Sequence, residues 1–98
     1  MDKHHIPALG TDEQLYTSRS PWPGGGYRWD VEGRLGAITF HSRTGRLTVV
    51  DPNGFEVAEL DASWAAQVAA AVDAGNEAAV FELLAGHYRT ELAKAGSR

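Results

Sequence analysis

Cysteine is absent from this chain of 98 residues, and lysine occurs only at positions 3 and 94. Without cysteine there is no disulfide framework, no thiol nucleophile and no cysteine-based zinc site. The absence suits any redox compartment, so it does not locate the protein. No apolar run approaches the ~20 residues that cross a bilayer. No early segment joins a basic start to an apolar core as a signal peptide does. The default expectation is a cytoplasmic protein without membrane contact. Catalytic signatures are missing as well. There is no Gly-x-Ser-x-Gly elbow and no His-x3-His helix pair. His4 and His5 are adjacent, while His41 and His87 stand far apart, so the histidines show no ligand spacing. Gly24-Gly25-Gly26 precedes a strand-like run, whereas a phosphate loop follows a strand and opens a helix. These absences lead us to expect no catalytic residue, no metal and no cofactor. A small enzyme with dispersed catalytic groups, or a small-ligand binder with a cavity between sheet and helices, stays open as a further alternative, because spatial constellations need no adjacency in sequence.

Positive charge is scarce. Nine Lys or Arg oppose thirteen acids, for a net charge of −4. The balance is uneven: residues 1–50 hold six Lys or Arg against five acids, and residues 51–98 hold three against eight. Phosphate contacts need a positive surface, so an acidic chain is a poor default binder of nucleic acid. The local exception is an acid-free window carrying Arg34, His41, Arg43 and Arg46. A charged hairpin tip is the ordinary solvated state of such turns, but this one would be the nucleic-acid-binding element if the protein has one.

What is present is a strong β pattern. Tyr27, Trp29 and Val31 alternate with Arg28, Asp30 and Glu32, which gives one apolar and one charged face. Gly33-Arg34 reads as a two-residue hairpin loop. A second strand then runs from Leu35 to His41, with Ile38 and Phe40 on one face. Arg43-Thr44-Gly45 ends in Gly, as short bulged hairpin loops do. Leu47 and Val49 mark one face of a third strand, from Arg46 to Val50. Asp51-Pro52-Asn53-Gly54 is a turn in which Pro presets φ and Gly takes a positive φ. A fourth strand runs from Phe55 to Leu60. Its facing is ambiguous, which fits a bulge or cover on both sides. Glu56, Glu59 and Asp61 gather where this strand meets the next element; they read as solvated edge charges and one capping Asp.

The rest is helical. Asp61 or Ser63 can cap a helix whose stripe is Trp64, Val68 and Val72. Gly75 suits a helix stop and Asn76 a new start, with Glu77 in the first turn against the dipole. Val80, Phe81, Leu84, Tyr88 and Leu92 form a second stripe reaching about Ala95. Gly86 interrupts it, at a cost of about 1 kcal/mol relative to Ala. One helix or two over 62–95 is left open. Residues 1–26 read as an irregular or loosely packed segment, with one turn of helix at the Thr11-Asp12-Glu13-Gln14 capping box. Within them, Pro21 and Pro23 bracket Trp22 before the three Gly, which argues for a loop from Ser18 to Gly26. The fold expected is α+β: an antiparallel meander of three to four strands over about 27–60, followed by one or two C-terminal helices packed on one sheet face, forming a single domain over 27–98.

Residues 18–75 resemble a small actinobacterial domain of unknown function found beside XRE-type helix-turn-helix regulators. The resemblance lies in Ser20-Pro21-Trp22-Pro23-Gly24-Gly25-Gly26 leading to Val31-Glu32. It continues in the order Leu47 to Asp51, Pro52 to Gly54, Phe55 to Leu60, and a helix from Trp64 to Gly75. Three departures stand beside it. The usual Cys before the Val-Glu strand is missing, Val50-Asp51-Pro52 replaces Arg-Asp-Ser, and residues 76–95 extend beyond the usual end. The resemblance implies a regulatory accessory or antitoxin-like role through contacts with a protein, a regulator or a toxin, and carries over no catalytic residue.

The function expected is therefore a non-enzymatic protein-interaction module. Its contact residues would be Trp22, Gly24, Gly25 and Gly26 of the loop, because Trp dominates binding hot spots, together with the helical acids Glu77 and Glu82. The alternative is nucleic-acid binding through Arg34, His41, Arg43 and Arg46. A homodimer through a sheet edge or the Ala-rich helix is left undecided.

Overall fold

A computed structural model describes residues 2–7 and 14–93. They form one antiparallel sheet with its strands in chain order: β1 (Asp2–Pro7), β2 (Gln14–Pro21), β3 (Tyr27–Gly33), β4 (Gly36–His41), β5 (Arg46–Val50) and β6 (Glu56–Glu59). Two helices follow, α1 (Ala62–Asp73) and α2 (Glu77–Tyr88), and a π-helical turn (Arg89–Ala93) continues α2. The α+β meander with helices packed on one sheet face is as the sequence pattern predicts. No helix among the described residues is long and apolar enough to cross a membrane.

Alternation along each strand builds the core. Leu15, Trp29, Val31, Ile38, Phe40, Leu47 and Val49 point to one side and are buried there. Val68 of α1 and Val80, Phe81, Leu84 and Tyr88 of α2 complete the same cluster. The Trp29 and Phe81 rings meet at 5.6 Å, tying α2 to the middle of the sheet. The Tyr88 hydroxyl accepts from the Leu35 N–H at 3.0 Å, so the last turn of α2 also holds the β3–β4 hairpin. The chain breaks into two helices at Gly75, where φ is +71°, because a left-handed residue there ends α1. Asp61 caps α1 by accepting from the Ser63 N–H, and Asn76 caps α2 by accepting from the Ala79 N–H. The stacked rings of Trp64 and His87, 5.0 Å apart, join the two helices. Gly86 has open space where a Cβ would stand, so no close packing requires glycine there, and α2 runs through it unbroken.

Four features differ from the expectation. Asp2–Pro7, expected within the irregular segment, is a strand paired with β2 from Asp2↔Arg19 to Pro7↔Gln14. Gln14–Pro21, expected as irregular segment and loop, is a strand paired along its length with β3, from Tyr16↔Glu32 to Pro21↔Tyr27. Its inward side carries Leu15 and Thr17 rather than a run of aliphatics, so the sequence signal is weak. Pro21 ends the strand, where a missing N–H is tolerated, and only the turn after it is irregular. The rest of the expected capping box, residues 11–13, lies outside the described residues. The β3–β4 loop is Arg34-Leu35, one residue later than expected, since Gly33 pairs with Gly36. Finally, Tyr27 keeps the parity of Trp29 but is exposed at the sheet's end.

The bulge expected near the last strand is real. Val50 pairs with Glu56 and Val49 with Ala58, which leaves Val57 as the extra residue. All of β6 is exposed, as a short charged edge strand commonly is.

Gly36 tests the hairpin geometry. Its φ is +131°, and a Cβ there would strike the Val50 carbonyl oxygen. That oxygen belongs to the neighbouring strand and cannot move aside without breaking the ladder. Gly36→Ala is expected to cost about 2 kcal/mol of stability, read as a lowered urea midpoint. A midpoint unchanged from the parent would show that the hairpin tolerates the clash.

Candidate functional site

The helices cover one face of the sheet. The opposite face is hollowed into an open groove of about 770 Å³. Cross-strand register arranges this face in three rows. The first is Ser20, Arg28, His41 and Arg46. The second is Ser18, Asp30, Thr39, Thr48 and Glu59. The third is Tyr16, Glu32, Ala37, Val50 and Glu56. Small hydroxyl and methyl side chains occupy the middle, and long ones stand around them. A merely solvated face would carry long polar side chains throughout; small residues ringed by large ones leave a depression.

The floor is polar and internally satisfied. Asp30 is 8% exposed although it lies on the helix-free face. Its carboxylate accepts from Thr39 Oγ1 at 2.6 Å, from Arg28 Nε at 2.9 Å and, more weakly, from Ser18 Oγ at 3.4 Å. Thr48 is buried beside them, with its hydroxyl 3.5 Å from the Thr39 carbonyl oxygen. Burial fixes the hydroxyls and the carboxylate in place and presents them as a rigid surface.

One end of the groove is aromatic and cationic. Trp22 is 42% exposed and stands edge-on to His41 with ring centres 5.1 Å apart. The Arg28 guanidinium lies 5.7 Å from the Trp22 ring. Gly24, Gly25 and Gly26 all take positive φ in the turn that carries Trp22, which Gly25 N–H closes by donating to the Trp22 carbonyl at 3.0 Å. The turn packs on the β4–β5 tip: Tyr27 N–H donates to Ser42 Oγ at 2.8 Å, and Gly26 lies against Ser42 and Arg43. Trp22 with its glycines and the tip bearing His41, Arg43 and Arg46 were separate candidates in the sequence, and the fold brings them to the same end of the sheet.

The remaining candidates lie elsewhere. Glu77 opens α2 on the far side of the sheet and pairs with Arg19 at 3.0 Å, and Glu82 is exposed on the same helix. Neither belongs to the groove. Arg34 sits in the β3–β4 loop, at the opposite end of the strands from Arg43. The window free of acids in sequence is not free of them in space. Arg46 is held by Glu56 at 2.6 Å and Glu59 at 3.3 Å, which raises its pKa above the usual range. The groove is lined by Arg28 and Arg46 against Asp30, Glu32, Asp51 and Glu56, so acids outnumber cations four to two.

Ser18, Asp30, Glu32, Thr39 and Thr48 were not singled out by sequence reasoning as site residues. The signal was the polar parity of β3, β4 and β5, but only the register aligns those positions into a floor. Among the described residues no group of three or more His, Cys, Asp or Glu could hold a metal ion.

Two histidines make stability depend on pH. His41 has its pKa lowered by burial and then by Arg28, and His87 has its pKa lowered by burial. In each case the unfolded chain, at the ordinary 6.5, takes up its proton before the folded one does. Stability is therefore full above about pH 6.5 and falls as pH drops from there toward the lower folded-state pKa. The urea midpoint is expected to decline between about pH 7.5 and about pH 5, and less steeply in His87→Gln. A midpoint that is flat or rises over that interval would contradict this account.

No family model, curated protein or solved structure matches the chain.

Proposed function

We propose that the chain is a non-enzymatic protein-interaction module that receives part of a partner protein in the groove of its sheet. The observation that supports this reading is the built shape of the helix-free face, with a small, buried, hydrogen-bonded floor between long side chains and an exposed Trp22 at one end. Binding surfaces commonly combine a rigid base with an aromatic anchor at hand. The resemblance to the domain found beside helix-turn-helix regulators agrees with a regulatory or antitoxin-like role, with a regulator or toxin as the partner.

The test is capture of a stoichiometric partner from the native host by the parent chain and by Ala37→Tyr. That substitution raises a large, β-compatible side chain from the third row of the groove, between Glu32 and Val50. The expected result is a protein retained by the parent and lost by the variant. A partner retained equally by both, or none at all, overturns the proposal.

A second reading is nucleic-acid binding at the tip over 41–46. Its support is Arg43, which has no acidic partner among the described residues and lies beside the Trp22 turn. It is the weaker reading because Glu56 and Glu59 engage Arg46, and Asp30 engages Arg28. A mobility shift that weakens with salt and with Arg43→Ala would favour it over the first.

A further inference from the structure

We infer that the Glu32 end of the groove is a pocket for a basic side chain, an arginine or lysine presented by the partner protein. This deepens the reading of the groove as a protein-binding surface and rests on it.

Glu32 differs from the other carboxylates that line the groove. Asp30 is engaged by Thr39, Arg28 and Ser18. Asp51 Oδ1 accepts from the N–H groups of Asn53 and Phe55, at 3.0 and 2.9 Å. Glu56 holds Arg46. Glu32 is exposed, and its carboxylate has no hydrogen-bond or ion-pair partner among the described residues.

The surface beside it is apolar and low. Register places Ala37 directly next to Glu32, and Val50 next to Ala37. Gly33 and Gly36 flank the adjacent Arg34-Leu35 loop and carry no side chains themselves. Strands lie about 4.8 Å apart, so Ala37 and Val50 offer an apolar strip roughly 10 Å long that ends at a carboxylate. An arginine or lysine has the complementary build. Its methylenes can lie on the strip while its charged head meets Glu32, which takes guanidinium through two parallel hydrogen bonds.

Charge favours a basic protein over an anionic ligand. Acids outnumber cations around the groove, and the chain as a whole carries −4. A phosphate entering here would meet repulsion from Glu32, whereas a basic segment would be drawn in.

The experiment is an NMR titration of the ¹⁵N-labelled chain with a blocked Gly-Ser peptide carrying a single arginine. A matched peptide carries citrulline, which keeps the shape and loses the charge. The arginine peptide is expected to shift the amide signals of Glu32, Ala37 and Val50 saturably. Its affinity should exceed that of the citrulline peptide by about tenfold or more and should fall as salt is raised. Glu32→Gln, a near-isosteric change at an exposed site, should remove the difference between the peptides. Ala37→Tyr should remove binding while leaving Glu32 charged. No shift at these amides, equal binding of both peptides, or indifference to Glu32→Gln overturns the inference.

The arms separate it from the proposal beneath it. A native partner lost by Ala37→Tyr but held undiminished by Glu32→Gln leaves the groove as the interface and removes the basic-side-chain pocket. A native partner indifferent to both variants removes the groove reading itself, and the inference with it.

Discussion

Phe40→Ala is expected to lower the unfolding free energy by about 3–5 kcal/mol. Phe40 is 1% exposed and lies between Trp29 on β3 and Leu47 on β5, on the side of the sheet that faces the helices. Truncation removes a ring from the middle of that layer. The sheet cannot close over the gap, because ladder pairing on both sides holds the neighbouring strands apart. A domain of this size has roughly 5–15 kcal/mol in total, so the loss is a large part of it. The melting temperature should fall on the order of 20 °C. Phe55→Ala is the internal control. Phe55 is 68% exposed beside the edge strand, and the same truncation there should cost less than about 0.5 kcal/mol. Thermal and urea unfolding of the two variants side by side would decide the matter. Equal losses, or a Phe40→Ala loss below about 1 kcal/mol, would mean that the core is not centred on this layer.

The contrast between these two phenylalanines shows how far the sequence carries the fold. Where a strand alternates aliphatic or aromatic with polar residues, as at Ile38-Thr39-Phe40 and Leu47-Thr48-Val49, its facing follows from the sequence. The helical stripe of Val80, Phe81, Leu84 and Tyr88 is equally plain, because each of these residues packs on the same layer. The β2 strand was hidden because its inward positions hold Thr17 and Arg19. Thr17 is buried although polar, and Arg19 leaves the core edge to pair with Glu77 and to lie over the Tyr27 and Trp29 rings. Neither residue announces a core-facing position without its neighbours in view. Pro21 and the following glycines mark the turn and not the strand before it.

The groove was legible only in part, for a different reason. The charged parity of Arg28, Asp30 and Glu32 is visible in the chain. A row such as Ser18, Asp30, Thr39 and Thr48 exists only once four strands are aligned, and each member alone is an unremarked polar residue. The same alignment changes the meaning of Arg46. It stands in a stretch without acids, yet the neighbouring strand delivers two carboxylates to it. Trp22 could be marked as an anchor from its surroundings in sequence, whereas its place beside His41 depends on two turns folding against each other.

Asp30→Ala is the second large effect, and it separates what builds the groove from what the groove would bind. The expected loss is about 2–4 kcal/mol. Removing the carboxylate orphans the buried Thr39 hydroxyl, which now donates 2.6 Å to Oδ1, and leaves Arg28 without its partner. The Arg28 side chain is 42% exposed, so water can take over its guanidinium, which holds the cost below that of a fully buried pair. Asp30→Asn keeps an acceptor for Thr39 and should lose roughly half as much. In a double-mutant cycle with Thr39→Val, the coupling is expected at about 1–2 kcal/mol, since the two side chains share one short hydrogen bond. Coupling near zero would show that the floor is held by packing rather than by this carboxylate. Glu32 lies two residues along the same strand face and should behave in the opposite way. It holds nothing in place among the described residues, so Glu32→Gln should leave unfolding within about 0.5 kcal/mol of the parent while weakening the arginine peptide. Two acids of one face would then divide the work, with the buried Asp30 committed to the floor and the exposed Glu32 uncommitted until a partner arrives.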